Sequence, residues 1–138
     1  MPALRPAASA KPVDEKLTIN VGFVDLGQID LLVQEGFYAN RSDLIRTAIR
    51  NQIAAHAEAV RQVVSRRTLV LGIQHVSAAE LEAVRARGET LDMRVLGLLS
   101  IAPDVTPELA LATLNSIDVL GALHATPLVK AALAARLK

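Results

Sequence analysis

The tripeptide Val-Leu-Gly occurs three times in the second half of this chain, beginning at Val70, Val95 and Val119. The copies are 25 and 24 residues apart, and each opens a short apolar run that is followed by a helix-starting signal. A strand, a turn and a short helix fit within that spacing, and repetition of such a unit predicts parallel strands joined by right-handed crossovers. The sequence therefore predicts a small three-repeat, solenoid-like parallel β/α domain over residues 68–138.

Each predicted helix of this domain begins at a capping residue, and each strand carries a glycine at the same place. The helix signals are Ser77 with Glu80, Thr106 with Pro107, and Thr126 with Pro127, and the glycines are Gly72, Gly97 and Gly121. The glycines are expected to stack at one bend of the sheet. The strands are apolar on both faces, which predicts that helices cover both sides of the sheet. Its two open edges predict that the domain oligomerises or binds an effector or a partner protein.

The first half of the chain contains one stretch with the alternation of a half-buried strand, KLTINVGF, which runs from Lys16 to Phe23. Its apolar side is Leu17, Ile19, Val21 and Phe23, and its other side is Thr18, Asn20 and Gly22. No second strand pattern lies near it, and a lone strand leaves its backbone donors and acceptors unpaired. A second copy of the same strand would supply the partner. Residues 1–15, rich in proline and alanine, are expected to form a flexible arm.

Two helices are predicted after this strand. The first lies in VDLGQIDLLVQEG and ends at Gly36, a common residue at helix C-termini. The second follows Asn40, a good N-cap, and Asp43 can act back on its first turn. Helical spacing of apolar residues continues from there, so one helix is expected to run into the mid-60s and to form a helical connector over residues 57–67.

The order strand, helix, turn, helix over residues 16–56 resembles the ribbon-helix-helix family of DNA-binding regulators. The resemblance rests on KLTINV, on the glycine that ends the first helix, and on GFYANRSDLIRTAIR, whose Arg-Ser-acidic-x-Ile-Arg run is the most specific part. It implies an intertwined dimer in which the lone strands pair as a two-stranded antiparallel ribbon. The expected fold class is therefore α+β, with a ribbon-helix-helix DNA-binding domain followed by the β/α repeat domain.

The resemblance also implies roles for the two sides of the strand and for the turn before the second helix. A two-stranded ribbon is narrow enough to enter the major groove of DNA, where lysine, threonine and asparagine can bond base edges. The implied base-reading residues are Lys16, Thr18 and Asn20, and the implied dimer core is Leu17, Ile19 and Val21. The implied phosphate-binding residues are Asn40, Arg41 and Ser42, at the positive end of the second helix. Phe37 and Tyr38 are expected to pack this turn onto the core.

Arg46 and Arg50 lie four residues apart on one face of the second helix. Two interpretations remain open for them. The first is a solvated face paired with Asp43 and its neighbours, and the second is direct contact with DNA phosphates, which positions a protein without specifying sequence. The first interpretation is the one favoured here.

The composition removes several classes of function. The chain has no cysteine, which excludes disulfides, thiolate metal sites and cysteine nucleophiles and favours a reducing, cytoplasmic location. The three histidines, His56, His75 and His124, lack the spacing of a metal site, so no metal or cofactor is expected. There is no catalytic constellation, so the chain is not expected to be an enzyme. No stretch approaches 18 uncharged apolar residues, so no membrane span is expected.

The expected function is a sequence-specific transcriptional regulator that binds double-stranded DNA as a homodimer or a higher homo-oligomer. Residues 1–67 carry nine Lys and Arg against seven Asp and Glu, which supports a polyanionic partner only weakly. The alternative is an antitoxin with the same DNA-binding half, whose C-terminal half neutralises a toxin. A third possibility is a structural protein that binds DNA without regulating it. Capping signals and a repeat in the second half favour the regulator over an antitoxin with a disordered tail.

Overall fold

The structure is a computed structural model that describes residues 14–138. The described chain divides into two compact units, residues 16–63 and residues 64–138. All but the last two residues of the arm predicted over residues 1–15 lie outside the described part of the chain.

The first unit is helical, and the second alternates strands with helices. The first unit contains α1 (Phe23–Gln34), α2 (Arg41–Ala55) and most of α3 (Ala57–Arg67), which continues into the second unit. The second unit contains β1 (Val70–Val76), α4 (Ala78–Ala86), β2 (Leu91–Ile101), α5 (Pro107–Thr113), β3 (Leu114–His124) and α6 (Pro127–Leu133).

The turn between α1 and α2 has the local chemistry that the sequence predicts. Gly36 has a φ of +84°, and the N–H of Phe37 donates to the carbonyl of Leu32 over 3.0 Å, as in a Schellman motif. Asn40 caps α2, because its side-chain oxygen accepts a hydrogen bond of 2.8 Å from the N–H of Asp43. Glycine and asparagine thus end one helix and start the next through bonds made within a few residues.

Two boundaries in the first unit differ from the prediction. Phe23 is the first residue of α1 and not the end of a strand. The helix expected to run unbroken into the mid-60s is interrupted at His56, where φ is −103° and ψ is 15°. There the N–H of His56 bonds to the carbonyl of Ile53, three residues back, so the last turn of α2 tightens before α3 begins.

The strands of the second unit form a parallel sheet in the order β1-β2-β3. Val70 lies beside Val95, and Val95 lies beside Val119, so the three Val-Leu-Gly copies are in register as the repeat predicts. The predicted capping box is also present, with Ser77 Oγ accepting from the N–H of Glu80 over 3.2 Å. Thr106 and Thr126 cap α5 and α6 in the same manner.

Helices cover one face of this sheet, so the prediction of helices on both sides is wrong. The three strands follow one another in chain order, and right-handed crossovers that always advance in the same direction place every helix on the same side. The core between the helices and that face includes Leu81, Val95, Leu99, Leu109, Ile117 and Leu133.

One of the two predicted open edges is partly closed by the C-terminal residues. Leu137 forms an isolated parallel bridge with Ile117, and the N–H of Lys138 donates to the carbonyl of Ile117 over 2.9 Å. The guanidinium of Arg136 donates to the carbonyl of Leu114 over 2.8 Å. These bonds pair backbone groups along the outer side of β3, whereas β1 stays an edge strand.

Candidate nucleic-acid interface

The first unit has no interior of its own. None of residues 16–63 is buried in the single chain. Large apolar side chains are nevertheless exposed along the unit, including Leu17, Ile19, Val21, Phe23, Leu31, Phe37, Ile49 and Ile53. Burial of such side chains is the main term that offsets the lost conformational entropy of a folded chain. Residues 16–63 therefore do not bury enough apolar surface among themselves to account for a stable fold.

The predicted strand has no partner within the described chain. Residues 14–22 form no strand, and no backbone hydrogen bond links residues 16–21 to another part of it. The side chains of Leu17 and Ile19 are 81% and 65% exposed. Lys16, Thr18 and Asn20, the predicted base readers, are exposed as well. Within residues 14–138, the backbone groups of residues 16–21 therefore have no backbone hydrogen-bond partner.

The start of α2 presents free backbone donors. The backbone N–H groups of Arg41 and Ser42 have no partner in the described chain. The two capping hydrogen bonds of the turn are made by other N–H groups, those of Ala39 and Asp43. Such N–H groups, together with the positive end of a helix of 15 residues, form a suitable phosphate site. The cap occupies the Asn40 side-chain oxygen, so the Asn40 amide nitrogen and the Ser42 hydroxyl are the side-chain donors of this turn that have no partner in the described chain.

Arg41 is held by a carboxylate that sequence reasoning missed. Its Nε and Nη2 atoms donate to the two Asp30 oxygens over 2.7 and 2.8 Å, a bidentate pair that joins α1 to α2. The hydrogen bond from Arg41 lowers the pKa of Asp30 below its ordinary 3.8, and Asp30 raises the pKa of Arg41. The two residues are eleven positions apart, outside any helical spacing, so no local sequence pattern indicates the pair.

Arg46 and Arg50 are exposed and form no ion pair within residues 14–138. The predicted pairing with Asp43 is wrong, whereas their exposure is compatible with both a solvated face and contact with DNA phosphates. The Asp43 carboxylate instead accepts a hydrogen bond of 3.0 Å from the backbone N–H of Ala39. Two unpaired positive charges therefore lie along the exposed face of α2.

The aromatic pair beside the turn behaves differently from the prediction. Phe37 is 71% exposed, whereas Tyr38 is partly buried. Phe37 thus does not pack the turn onto a core within one chain. The described residues contain no group of three metal-ligating side chains, and none of their helices is long and apolar enough to cross a membrane.

An exposed segment with alternating apolar and polar residues, followed by two helices joined at a capped turn, has the order of elements of a ribbon-helix-helix regulator. The chain belongs to the Ribbon-Helix-Helix transcriptional regulator family, whose model matches residues 12–130. The match extends past residues 16–56 and through all three strands, so the second unit is part of the family pattern and is not an unrelated addition. No curated protein and no solved structure matches the chain.

The Asp30–Arg41 pair gives the first unit a specific pH dependence. Because the pKa of Asp30 is lowered in the folded chain, its contribution to stability is present above the ordinary value of 3.8 and is lost as the pH falls through the lower folded value. We expect Asp30→Asn to remove that part of the acid-induced loss of helix, measured by circular dichroism. Asp25→Asn, on the same helix but without an ion pair in the described chain, is the control and is expected to follow the wild type. Identical acid profiles for all three chains would show that the pair contributes nothing.

Proposed function

We propose that the chain is a sequence-specific DNA-binding regulator of transcription that acts as an intertwined dimer or a higher oligomer. The observation that supports this most directly is the combination in residues 16–63 of an unpaired strand segment and the absence of any buried residue. Antiparallel pairing with the same segment of a second copy supplies both the missing hydrogen bonds and apolar surface to bury. The family membership supports the same assignment.

In the proposed ribbon the two sides of each strand have separate tasks. Leu17, Ile19 and Val21 face the helices of the dimer and form its core. Lys16, Thr18 and Asn20 face outward into the major groove, where their donors and acceptors can bond base edges. This division follows from the side-chain period of two in a strand, which places alternate residues on opposite faces.

The turn at the start of α2 binds the DNA backbone in this proposal. The free N–H groups of Arg41 and Ser42 and the Ser42 hydroxyl donate to one phosphate, while Arg41 stays on Asp30 and fixes the turn against α1. Arg46 and Arg50 add positive potential along the same helix. Such contacts set the register of the protein on DNA, and the ribbon supplies the sequence specificity.

Removing the two neutral base-contacting side chains tests whether the ribbon recognises the DNA sequence. We expect Thr18→Ala combined with Asn20→Ala to weaken binding to the selected site about a thousandfold, because each lost base contact costs roughly 1–3 kcal/mol and the dimer loses four of them. Binding to unrelated DNA and the dimer itself should not change. The operator is first obtained by selecting bound fragments from genomic DNA, and affinities are then measured by fluorescence anisotropy at one fixed salt concentration.

Asn51→Ala is the matched control, since Asn51 is an exposed asparagine on α2 outside the proposed contacts. If the double variant bound the selected site as tightly as this control does, the ribbon would not read the sequence. If the wild type bound all fragments equally, the chain would be a non-specific DNA-binding protein and not a regulator with an operator. Copurification of a small toxic protein would favour the antitoxin.

A further inference from the structure

Among the described residues, no helix covers the second face of the sheet, and Glu15 is the residue from outside the strands that lies against it. Six uncharged residues of the three strands point from this face in two rows across the sheet. We call them the bare face: Leu71, Leu96 and Leu120 in one row, and Ile73, Leu98 and Ala122 in the next. Leu71 and Ile73 are 73% and 65% exposed, and Leu120 is 42% exposed.

A bare apolar face is unusual for a sheet of this kind. Parallel sheets are covered on both faces in nearly all folded proteins, because their strands are apolar on both sides. Contiguous exposed apolar patches of several hundred Å² are also rare on monomers and mark interaction sites. The bare face therefore indicates a contact that the single chain does not make.

The border of the bare face is polar and largely satisfied within the unit. Arg67 pairs with Asp118 over 2.8 Å at the end where the strands begin. Asp92 accepts hydrogen bonds from Ser116 and Asn115 over 2.7 and 3.0 Å, which lower the pKa of its carboxyl. Arg94, on the same side of β2, donates to Thr68 Oγ1 over 3.4 Å, and Glu15 lies at the face. Charges of both signs thus surround the bare face, so the border offers no strong net charge for an oppositely charged ligand or polyanion.

We propose that the bare face packs against the bare face of a second copy of this chain, so that two sheets lie face to face between two layers of helices. From their fractional exposures, Leu71, Ile73 and Leu120 present roughly 300 Å² from each copy. The partly buried Leu96, Leu98 and Ala122 and the polar border residues add to this, so that the pair buries on the order of 1,000 Å², the lower limit of specific interfaces. An uncharged surface whose border carries charges of both signs is compatible with a copy of itself. This contact is separate from the ribbon dimer and does not depend on it.

The two contacts reinforce each other in a chain that has both. A ribbon dimer holds two second units on one assembly and raises their effective concentration, so a modest sheet contact becomes well populated. Depending on whether the two bare faces meet within one ribbon dimer or between two, the wild type is a closed dimer or a tetramer. In both arrangements we propose that the sheet contact also forms without the ribbon at the micromolar to millimolar concentrations at which mass is measured.

The test measures mass by sedimentation velocity in full-length chains whose ribbon is broken by Ile19→Asp. We expect Ile19→Asp alone to remain a dimer, and Ile19→Asp with Leu71→Asp to be a monomer, because an interface that buries an unpaired carboxylate loses affinity by about a hundredfold or more. The matched control is Ile19→Asp with Leu128→Asp, since Leu128 on α6 is 72% exposed, like Leu71, but lies on the helix side. This control should remain a dimer.

The outcomes separate this proposal from the proposed function. A monomeric Ile19→Asp chain would overturn the sheet contact while leaving the ribbon intact as an explanation. An Ile19→Asp dimer that Leu71→Asp converts to a monomer would support the sheet contact. If Ile19→Asp also kept the wild-type DNA affinity and helix content, that result would count against the ribbon. Equal masses for the Leu71→Asp and Leu128→Asp chains would also overturn the proposal. The bare face would then bind something other than a second copy, such as residues 1–13, since Glu15 lies at this face.

Cross-linking provides a second measurement that does not depend on a disruptive charge. The chain has no cysteine, so Leu98→Cys introduces a single thiol on the central strand, near the two-fold axis that the face-to-face pair requires. A short bismaleimide should join two copies through this thiol efficiently. Leu128→Cys, on the helix side, should remain uncoupled under the same conditions. Equal yields for the two chains would contradict the proposed face.

Discussion

Replacing Ile19 by aspartate is expected to abolish the ribbon dimer, the fold of residues 16–63 and DNA binding together. In the proposed ribbon Ile19 is the central apolar residue of a strand that pairs with its own copy, so two unpaired carboxylates enter one small core. An uncompensated buried charge costs several kcal/mol, which is comparable to the whole stability of a small domain. DNA affinity should therefore fall by more than a hundredfold.

The measurement compares Ile19→Asp with Thr18→Asp, which places the same charge on the adjacent, outward side of the strand. Thr18→Asp should keep the dimer and the helices while weakening DNA binding, because its carboxylate faces the phosphates of the groove. Mass is read in chains that also carry Leu71→Asp, so that only the ribbon holds copies together. If both aspartate chains kept the same mass and helix content, residues 17–21 would not form the dimer core.

Replacing Gly97 by alanine is expected to destabilise the second unit by about 3 kcal/mol or more, through strain and steric overlap combined. Gly97 has a φ of +139°, a conformation that residues with a side chain rarely adopt. A Cβ atom at this position would also overlap the backbone carbonyl of Gly72 on the neighbouring strand. That carbonyl belongs to the sheet, so it cannot move aside without breaking the register of β1 and β2.

Gly72→Ala separates the two causes. Gly72 has a similar φ of +124°, but no heavy atom lies within 4 Å of an added Cβ. Gly72→Ala should lower the free energy of unfolding by roughly 1–3 kcal/mol from backbone strain alone, which is less than the loss expected for Gly97→Ala. Urea unfolding followed by circular dichroism, with hydrogen exchange of β1, β2 and β3, measures both. Equal losses for the two variants would show that overlap with the neighbouring strand contributes nothing.

Much of the second unit was predictable, because its signals are local or repeated. Three helices begin at capping residues that accept a hydrogen bond from the N–H three positions on, namely Ser77, Thr106 and Thr126. Such caps can be predicted from the sequence because both partners lie within a few residues. The aligned Val-Leu-Gly copies set the strand register, since a regular repeat brings equivalent positions side by side. The covered side of the sheet was not predictable from apolar content, because strands with two apolar faces do not indicate whether one or both are covered.

The candidate site was predicted less completely. The alternation from Lys16 to Val21 identifies a strand that needs a partner, and the described chain indeed contains none for it. The roles of Lys16, Thr18 and Asn20 stay predictions. The pairing of Arg41 with Asp30 was missed, because it joins two helices across a turn whose angle no local pattern specifies.

The sequence by itself determined where helices start and stop around Gly36 and Asn40 and which residues repeat, whereas the strand that it predicts over residues 16–23 stays a prediction. These features depend on bonds and periods that span a few residues. Only the tertiary structure decided that α4, α5 and α6 share one side of the sheet, that Asp30 holds Arg41, and that Leu71 and Ile73 are left uncovered. Those outcomes depend on the handedness of successive crossovers and on contacts between distant residues, which the order of amino acids along the chain does not display.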